Sequence, residues 1–104
     1  MIQELTTDTL HELIGDSKIT FVQFSAGWCG NCRIMKPKFK NLANKDERNQ
    51  FVIVDAENNP KSRGLAEVNN LPTFAAFKDG KLLGQIQTNK ADSLNTFHHE
   101  ITGN

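Results

Sequence analysis

The sequence predicts an α/β protein in which a mixed β-sheet carries helices on both faces. Three observations predict it. Runs rich in β-branched and aromatic residues recur along the chain, at Ile19 to Ser25, Phe51 to Asp55 and Phe74 to Phe77. Segments whose apolar residues stand three and four positions apart separate them, the spacing of amphipathic helices. Asp79-Gly80, a two-residue hairpin signal, then leads into a further strand and a last helix. The order is β-α-β-α-β-α-β-β-α, and strands joined through helices plus a terminal hairpin make a mixed sheet.

Each element has its own local reason. Ile2 to Leu5 reads as a short edge strand. Thr7 or Asp8 can cap a helix through Leu10, Leu13 and Ile14, with Gly15 as its stop. After the strand Ile19 to Ser25, a helix is expected from about Cys29 to Lys45, with Ile34, Met35, Phe39, Leu42 and Ala43 as its apolar stripe. Pro37 lies inside that pattern and is expected to kink it. Phe51 to Asp55 is an apolar run closed by an acid, as in a strand buried on both faces. Asn59-Pro60 supplies a cap and first-turn pair for a helix reaching Ala66 or Glu67. Leu71-Pro72-Thr73 precedes the strand Phe74 to Phe77, and Asp79-Gly80 turns it back into Leu82 to Gln87. The last helix, from about Lys90 to Ile101, packs Leu94, Phe97 and Ile101. Phe21, Phe24, Phe51, Phe74 and Phe77 all fall on strands and are expected in the core. Neither a repeat nor a linker interrupts the pattern, so residues 1–104 are expected to form one domain.

Composition excludes several function classes. Twelve Lys and Arg balance twelve Asp and Glu, and a net charge of zero does not suit a nucleic-acid or anionic-membrane binder, which must neutralise phosphates. The longest strongly apolar run, Phe51-Val52-Ile53-Val54, falls far short of the ~20 residues that cross a bilayer. The start, MIQELTTDTL, has neither a basic nor an apolar leader region, so a cytoplasmic location is expected. In that reducing setting two cysteines are not expected to be a structural staple.

Those two cysteines carry the chemistry. Trp28-Cys29-Gly30-Asn31-Cys32 stands at a strand-to-helix junction. Cys29 would sit at the helix N-terminus, where free backbone N–H groups and the positive end of the helix dipole favour a thiolate. Cys32 follows one turn later on the same face, close enough to attack a mixed disulfide on Cys29. Gly30 lets the turn tighten, and Arg33 adds positive charge while pointing to solvent. Trp28 is expected as a partly exposed ring beside Cys29 rather than as core filler. Two readings compete: inert buried hydrophobes, against which the CxxC spacing between a strand and a helix weighs, and half of a zinc site, which needs two more ligands. Only His11, His98 and His99 are available, none at a suitable spacing, and all three read as solvated helix residues. No metal is expected. Lys36 and Lys40 form an i,i+4 pair on a wet face with no assigned role.

With FVQFSAGWCGNC, RIMKP, FVIVDAENNP and LPTFAAFKDGK in this order and spacing, the chain resembles the thioredoxin family over essentially its whole length. The resemblance implies the thioredoxin fold and a protein dithiol–disulfide oxidoreductase in which Cys29 attacks and Cys32 resolves. It implies a cis Leu71-Pro72 bond facing the cysteines, a docking face from Trp28, Leu71, Pro72 and Thr88, and support of the pair by Trp28, Gly30, Asn31 and Gln23. It also implies protein disulfides as substrates, a flavoprotein thioredoxin reductase as electron donor and no cofactor beyond the Cys29–Cys32 pair. Nothing in the hydrophobic pattern demands a dimer, so a monomer is expected. The chain itself has no GxGxxG to hold a flavin or nicotinamide.

Four positions depart from the family pattern. Asn31 stands where proline is usual; it restores a backbone N–H near the Cys29 sulfur, which predicts a modestly less reducing pair. Gln23 replaces a buried aspartate and cannot titrate, which predicts that Cys32 is activated through solvent; the competing reading has Gln23 merely facing solvent on an edge. Ser25 replaces a second aromatic, and Thr88 stands where glycine is common. The same fold also serves oxidases and isomerases, and a redox-inert binding module is a third reading, against which the retention of Cys32 weighs.

Overall fold

A computed structural model describes residues 2–103. Strands β1 (Ile2–Glu4), β2 (Thr20–Ser25), β3 (Gln50–Asp55), β4 (Thr73–Lys78) and β5 (Lys81–Gln87) form one sheet in the order β1-β3-β2-β4-β5. β1 and β2 pair parallel with β3, whereas β4 is antiparallel to β2 and to β5. The sheet is mixed, as expected, with the richest β-formers at its centre. Alternation along these strands divides the core in two. Phe21, Phe51, Ile53, Phe74 and Ala76 face α1 (Gly30–Lys45) and α3 (Ala91–Thr102), which contribute Met35, Phe39, Leu42, Leu94 and Phe97. Val22, Phe24, Val52, Val54, Ala75 and Phe77 face the other way, against Leu10, Ile14 and Val68. Helices therefore cover the first face, and shorter segments cover the second.

The hairpin forms as its residues require. Asp79 and Gly80 both have positive φ, 53° and 81°, which a tight turn between twisted antiparallel strands demands. Their N–H groups donate to Asp16 and Ile14 carbonyls at 3.1 and 2.8 Å, tying the turn to the segment before β2.

Four expectations need correction. The segment from Thr7 to Ile14 holds only a 3-10 turn, Leu10–Glu12, although Leu10 and Ile14 are buried. Its intended cap is spent elsewhere: Asp8 accepts from the N–H groups of Lys61 and Ser62 at 2.9 and 2.7 Å. Asp8 thus caps α2 (Pro60–Arg63), at whose N-cap Asn59 makes no capping bond and instead donates to Asp55 O. Burial pushes the Asp8 carboxyl up, and the bonds from Ser62 and Lys61 outweigh this and hold it below its ordinary value.

α2 itself is four residues long and stops short of Ala66. Beyond it, Arg63 donates twice to Val68 O, and Glu67 exchanges two hydrogen bonds with the Gln85 side chain on β5. Those bonds fix the backbone in a non-helical path. Ile34 is 53% exposed, not part of the α1 stripe. Buried positions 32, 35, 39, 42 and 43 define a face that position 34 misses by one residue, about 100° of rotation. His98 is not a solvated residue: its Nε2 lies 2.7 Å from Asp46 Oδ2, and its ring packs on Phe21 at 4.9 Å. Asp46 also accepts from Asn49 and Arg48. Burial pushes the Asp46 carboxyl up, but the bonds from Asn49, His98 and Arg48 outweigh it and hold it low.

Candidate active site

β2 ends at Ser25 and α1 begins at Gly30, so a four-residue link delivers Cys29 to the helix N-cap. There Cys29 Sγ accepts from Cys32 N–H at 3.1 Å, satisfying one of the donors a helix start leaves free. The donor is Cys32, three residues on, rather than Asn31. Cys29 and Cys32 are disulfide-bonded with Cα atoms 5.3 Å apart, inside the range a disulfide spans without backbone movement. The helical turn between them sets that distance.

The surroundings are asymmetric. Ala26, Cys29 and Cys32 form a small buried cluster with Leu71 packed against it. Leu71 and Pro72 are joined by the cis bond expected from the resemblance, and Pro72 is buried. Trp28 is 68% exposed, so its ring is available to a partner. Arg33 is exposed, with Nη2 at 3.4 Å from Gly27 O. Thr88 makes a local contact, its hydroxyl accepting from Lys90 N–H just before α3.

Gln23 lies on the α1 face of central strand β2 and is 0% exposed, so the edge position that would have left it solvated is excluded. Its Nε2 donates to Cys32 O at 3.1 Å and to Ser25 Oγ at 2.9 Å. Its Oε1 is buried with no hydrogen-bond partner among the described residues. A cleft of about 270 Å³ lies on another side of the cysteines, lined by Glu4, Ser25, Arg33, Lys36 and Asp55 among others. Lys36 Nζ bonds Glu4 Oε1 at 3.0 Å there. Sequence reasoning left Lys36 without a role. The signal that finds it is its i+4 spacing from Cys32, which puts both on one helix face.

A two-cysteine redox pair at a helix start, on a sheet of this topology, has a counterpart among known proteins: a family model described as Thioredoxin matches residues 1–100. The chain belongs to the thioredoxin family. It is 30% identical over 104 residues to thioredoxin of Oryctolagus cuniculus, covering 97% of this chain and 99% of the relative, and the same holds for thioredoxin of Homo sapiens. Among solved structures, Fasciola hepatica thioredoxin superposes with a TM-score of 0.83 at 31% identity, covering 91% of this chain and 94% of that one. Oxidised mitochondrial thioredoxin 3 of Saccharomyces cerevisiae superposes with a TM-score of 0.82 at 32% identity, covering 92% of each. The fold is the thioredoxin fold, and the activity is that of a dithiol–disulfide oxidoreductase, a disulfide reductase. Among the described residues no group of three or more His, Cys, Asp or Glu could hold a metal ion, and no helix is long and apolar enough to cross a membrane.

Proposed function

We propose that the protein reduces disulfides of other proteins in the cytoplasm, as a monomer, and is returned to its dithiol form by a flavoprotein thioredoxin reductase. The observation that carries this reading is the Cys29 sulfur at the α1 N-cap with Cys32 N–H pointing at it. A negative sulfur is favoured at that place and at no comparable place on Cys32. Cys29 is therefore the attacking thiolate: it forms a mixed disulfide with the substrate and releases one substrate thiol. Cys32 then attacks Cys29 Sγ, the Cys29–Cys32 bond forms and the second substrate sulfur leaves.

Trp28, Leu71, Pro72 and Thr88 form the docking face. The exposed Trp28 ring and the packing of Leu71 on the cysteines support this. Gly30 and Asn31 complete the first turn between the sulfurs, and Gln23 positions Cys32 through its carbonyl. Relatives make such partners reasonable. One similar structure, at 25% identity and a TM-score of 0.87, is of a ferredoxin:thioredoxin reductase with thioredoxin f2. Another, at 30% identity, concerns thiol resolution in a yeast mitochondrial peroxiredoxin.

Two measurements test the proposal. A Cys32→Ser variant is expected to retain a disulfide-containing protein such as insulin covalently on Cys29, and a Cys29→Ser variant to retain none. Equilibration in graded glutathione buffers, followed by Trp28 fluorescence, gives the potential. A value below about −240 mV supports an electron donor, whereas one near about −180 mV makes the protein an oxidase or isomerase. If no intramolecular disulfide forms at any poise, the binding-module reading replaces both.

A further inference from the structure

Cys32 must lose a proton before its sulfur attacks, and the side chain packed behind it cannot take one. Gln23 is fully buried, its amide held between Cys32 O and Ser25 Oγ, and a neutral amide does not titrate. The cleft offers the alternative. Both cysteines line it together with Ser25, Glu4, Arg33, Lys36 and Asp55. Ser25 Oγ accepts from Gln23, so its O–H remains free to donate. Every charged group facing the cleft can be accounted for. From β1, Glu4 is held by Lys36 at 3.0 Å. From β3, Asp55 already accepts from the N–H groups of Glu57 and Asn58 and from Asn58 Nδ2. From α1, Arg33 and Lys36 are cations that favour a nearby thiolate. A volume of about 270 Å³ holds several waters, each occupying about 30 Å³ in the liquid.

Resting on the thiol-exchange reading above, we propose that the proton Cys32 surrenders leaves through this cleft, passed by the Ser25 hydroxyl to water at the Glu4–Lys36 mouth. Ser25 and Lys36 are positioning residues for the resolving step. In that step the Cys32 S–H proton goes to cleft water, and the sulfur electron pair forms the bond to Cys29 Sγ. The Cys29–substrate S–S bond breaks, and the substrate departs as a thiolate that takes its proton from solvent. The family's usual buried acid is not needed, because water reaches the thiol from another side.

The probe is dithiobis(nitrobenzoic acid) with the fully reduced protein. Attack by Cys29 releases one coloured thiolate and resolution by Cys32 releases the second, so the two steps separate in stopped flow. Ser25→Ala is expected to slow the second phase on the order of tenfold, below the full range for general acid–base catalysis because water partly replaces the hydroxyl. It moves that phase's pH dependence to higher pH and leaves the first phase unaltered. Ser25→Thr, which keeps a hydroxyl, restores the wild-type profile. Lys36→Met shifts the second phase in the same direction. The proposal is overturned if Ser25→Ala and Lys36→Met both keep the wild-type second-phase rate and pH profile. It is equally overturned if both phases slow together with no change in profile. Should Ser25→Ala fail to fold, Lys36→Met at the exposed mouth decides alone. A wild-type protein that releases no second equivalent refutes the exchange reading itself, a result distinct from either of these.

Discussion

Replacing Gln23 by aspartate puts an ionisable group where the fold offers almost nothing to stabilise its charge. Position 23 is 0% exposed on β2, between Ile53 of β3 and Phe74 of β4. Its polar neighbours are Cys32 O, an acceptor that repels a carboxylate, and Ser25 Oγ, which can donate one hydrogen bond. Burial favours the neutral acid, so the folded pKa lies above the unfolded value of about 3.9. Such a group costs little below its unfolded pKa. The penalty grows as pH rises toward the folded pKa and is complete above it. Full burial raises a carboxyl's pKa by about 3 or more, and at about 1.4 kcal/mol per tenfold in proton affinity the ionised form costs about 4 kcal/mol. Urea unfolding of the oxidised wild type and of Gln23→Asp at about pH 4 and about pH 8 measures this. The stability difference is expected to be small at the lower pH and to grow by about 4 kcal/mol at the higher one. An equal difference at both pH values would refute the claim that burial penalises a charge at this position.

Four further outcomes follow from the packing and the paired carboxylates. Phe51→Ala should cost about 3–5 kcal/mol in urea unfolding, because Phe51 is buried and stacks on Phe21 at 5.2 Å and against Phe39 at 5.4 Å. Exposed Ile34→Ala should stay within about 0.5 kcal/mol. Asp46, held low by its partners despite burial, contributes stability above its unfolded pKa that is lost as pH falls through its folded one. The urea midpoint of Asp46→Asn should therefore fall less steeply on acidification than that of wild type. Asp8→Ala should strip hydrogen-exchange protection from the Lys61 and Ser62 amides, which among the described residues donate to no side chain but Asp8; retained protection would show that α2 caps itself.

The sequence by itself determined the strands, the hairpin and the redox pair, because each is encoded within a few residues. The continuous apolar run Phe51 to Val54 marks a strand buried on both faces, and the structure buries its side chains in both layers. Asp79-Gly80 carries its own turn, and Trp28-Cys29-Gly30-Asn31-Cys32 carries its own helix start. What the tertiary structure decided was where polar side chains spend their hydrogen bonds. Asp8 has the chemistry to cap its own helix, yet it caps α2, more than fifty residues away. Gln85 holds Glu67 in a non-helical path across eighteen positions, and Asp46 draws His98 down onto Phe21. Gln23 could have faced solvent on an edge strand, and only the strand order puts it behind Cys32. Periodicity and motif spacing are local and survive in the chain alone. A buried donor or acceptor, by contrast, takes whichever partner the packed fold brings within about 3 Å, since leaving it unpaired costs about 1–3 kcal/mol, and that partner has no fixed distance along the chain.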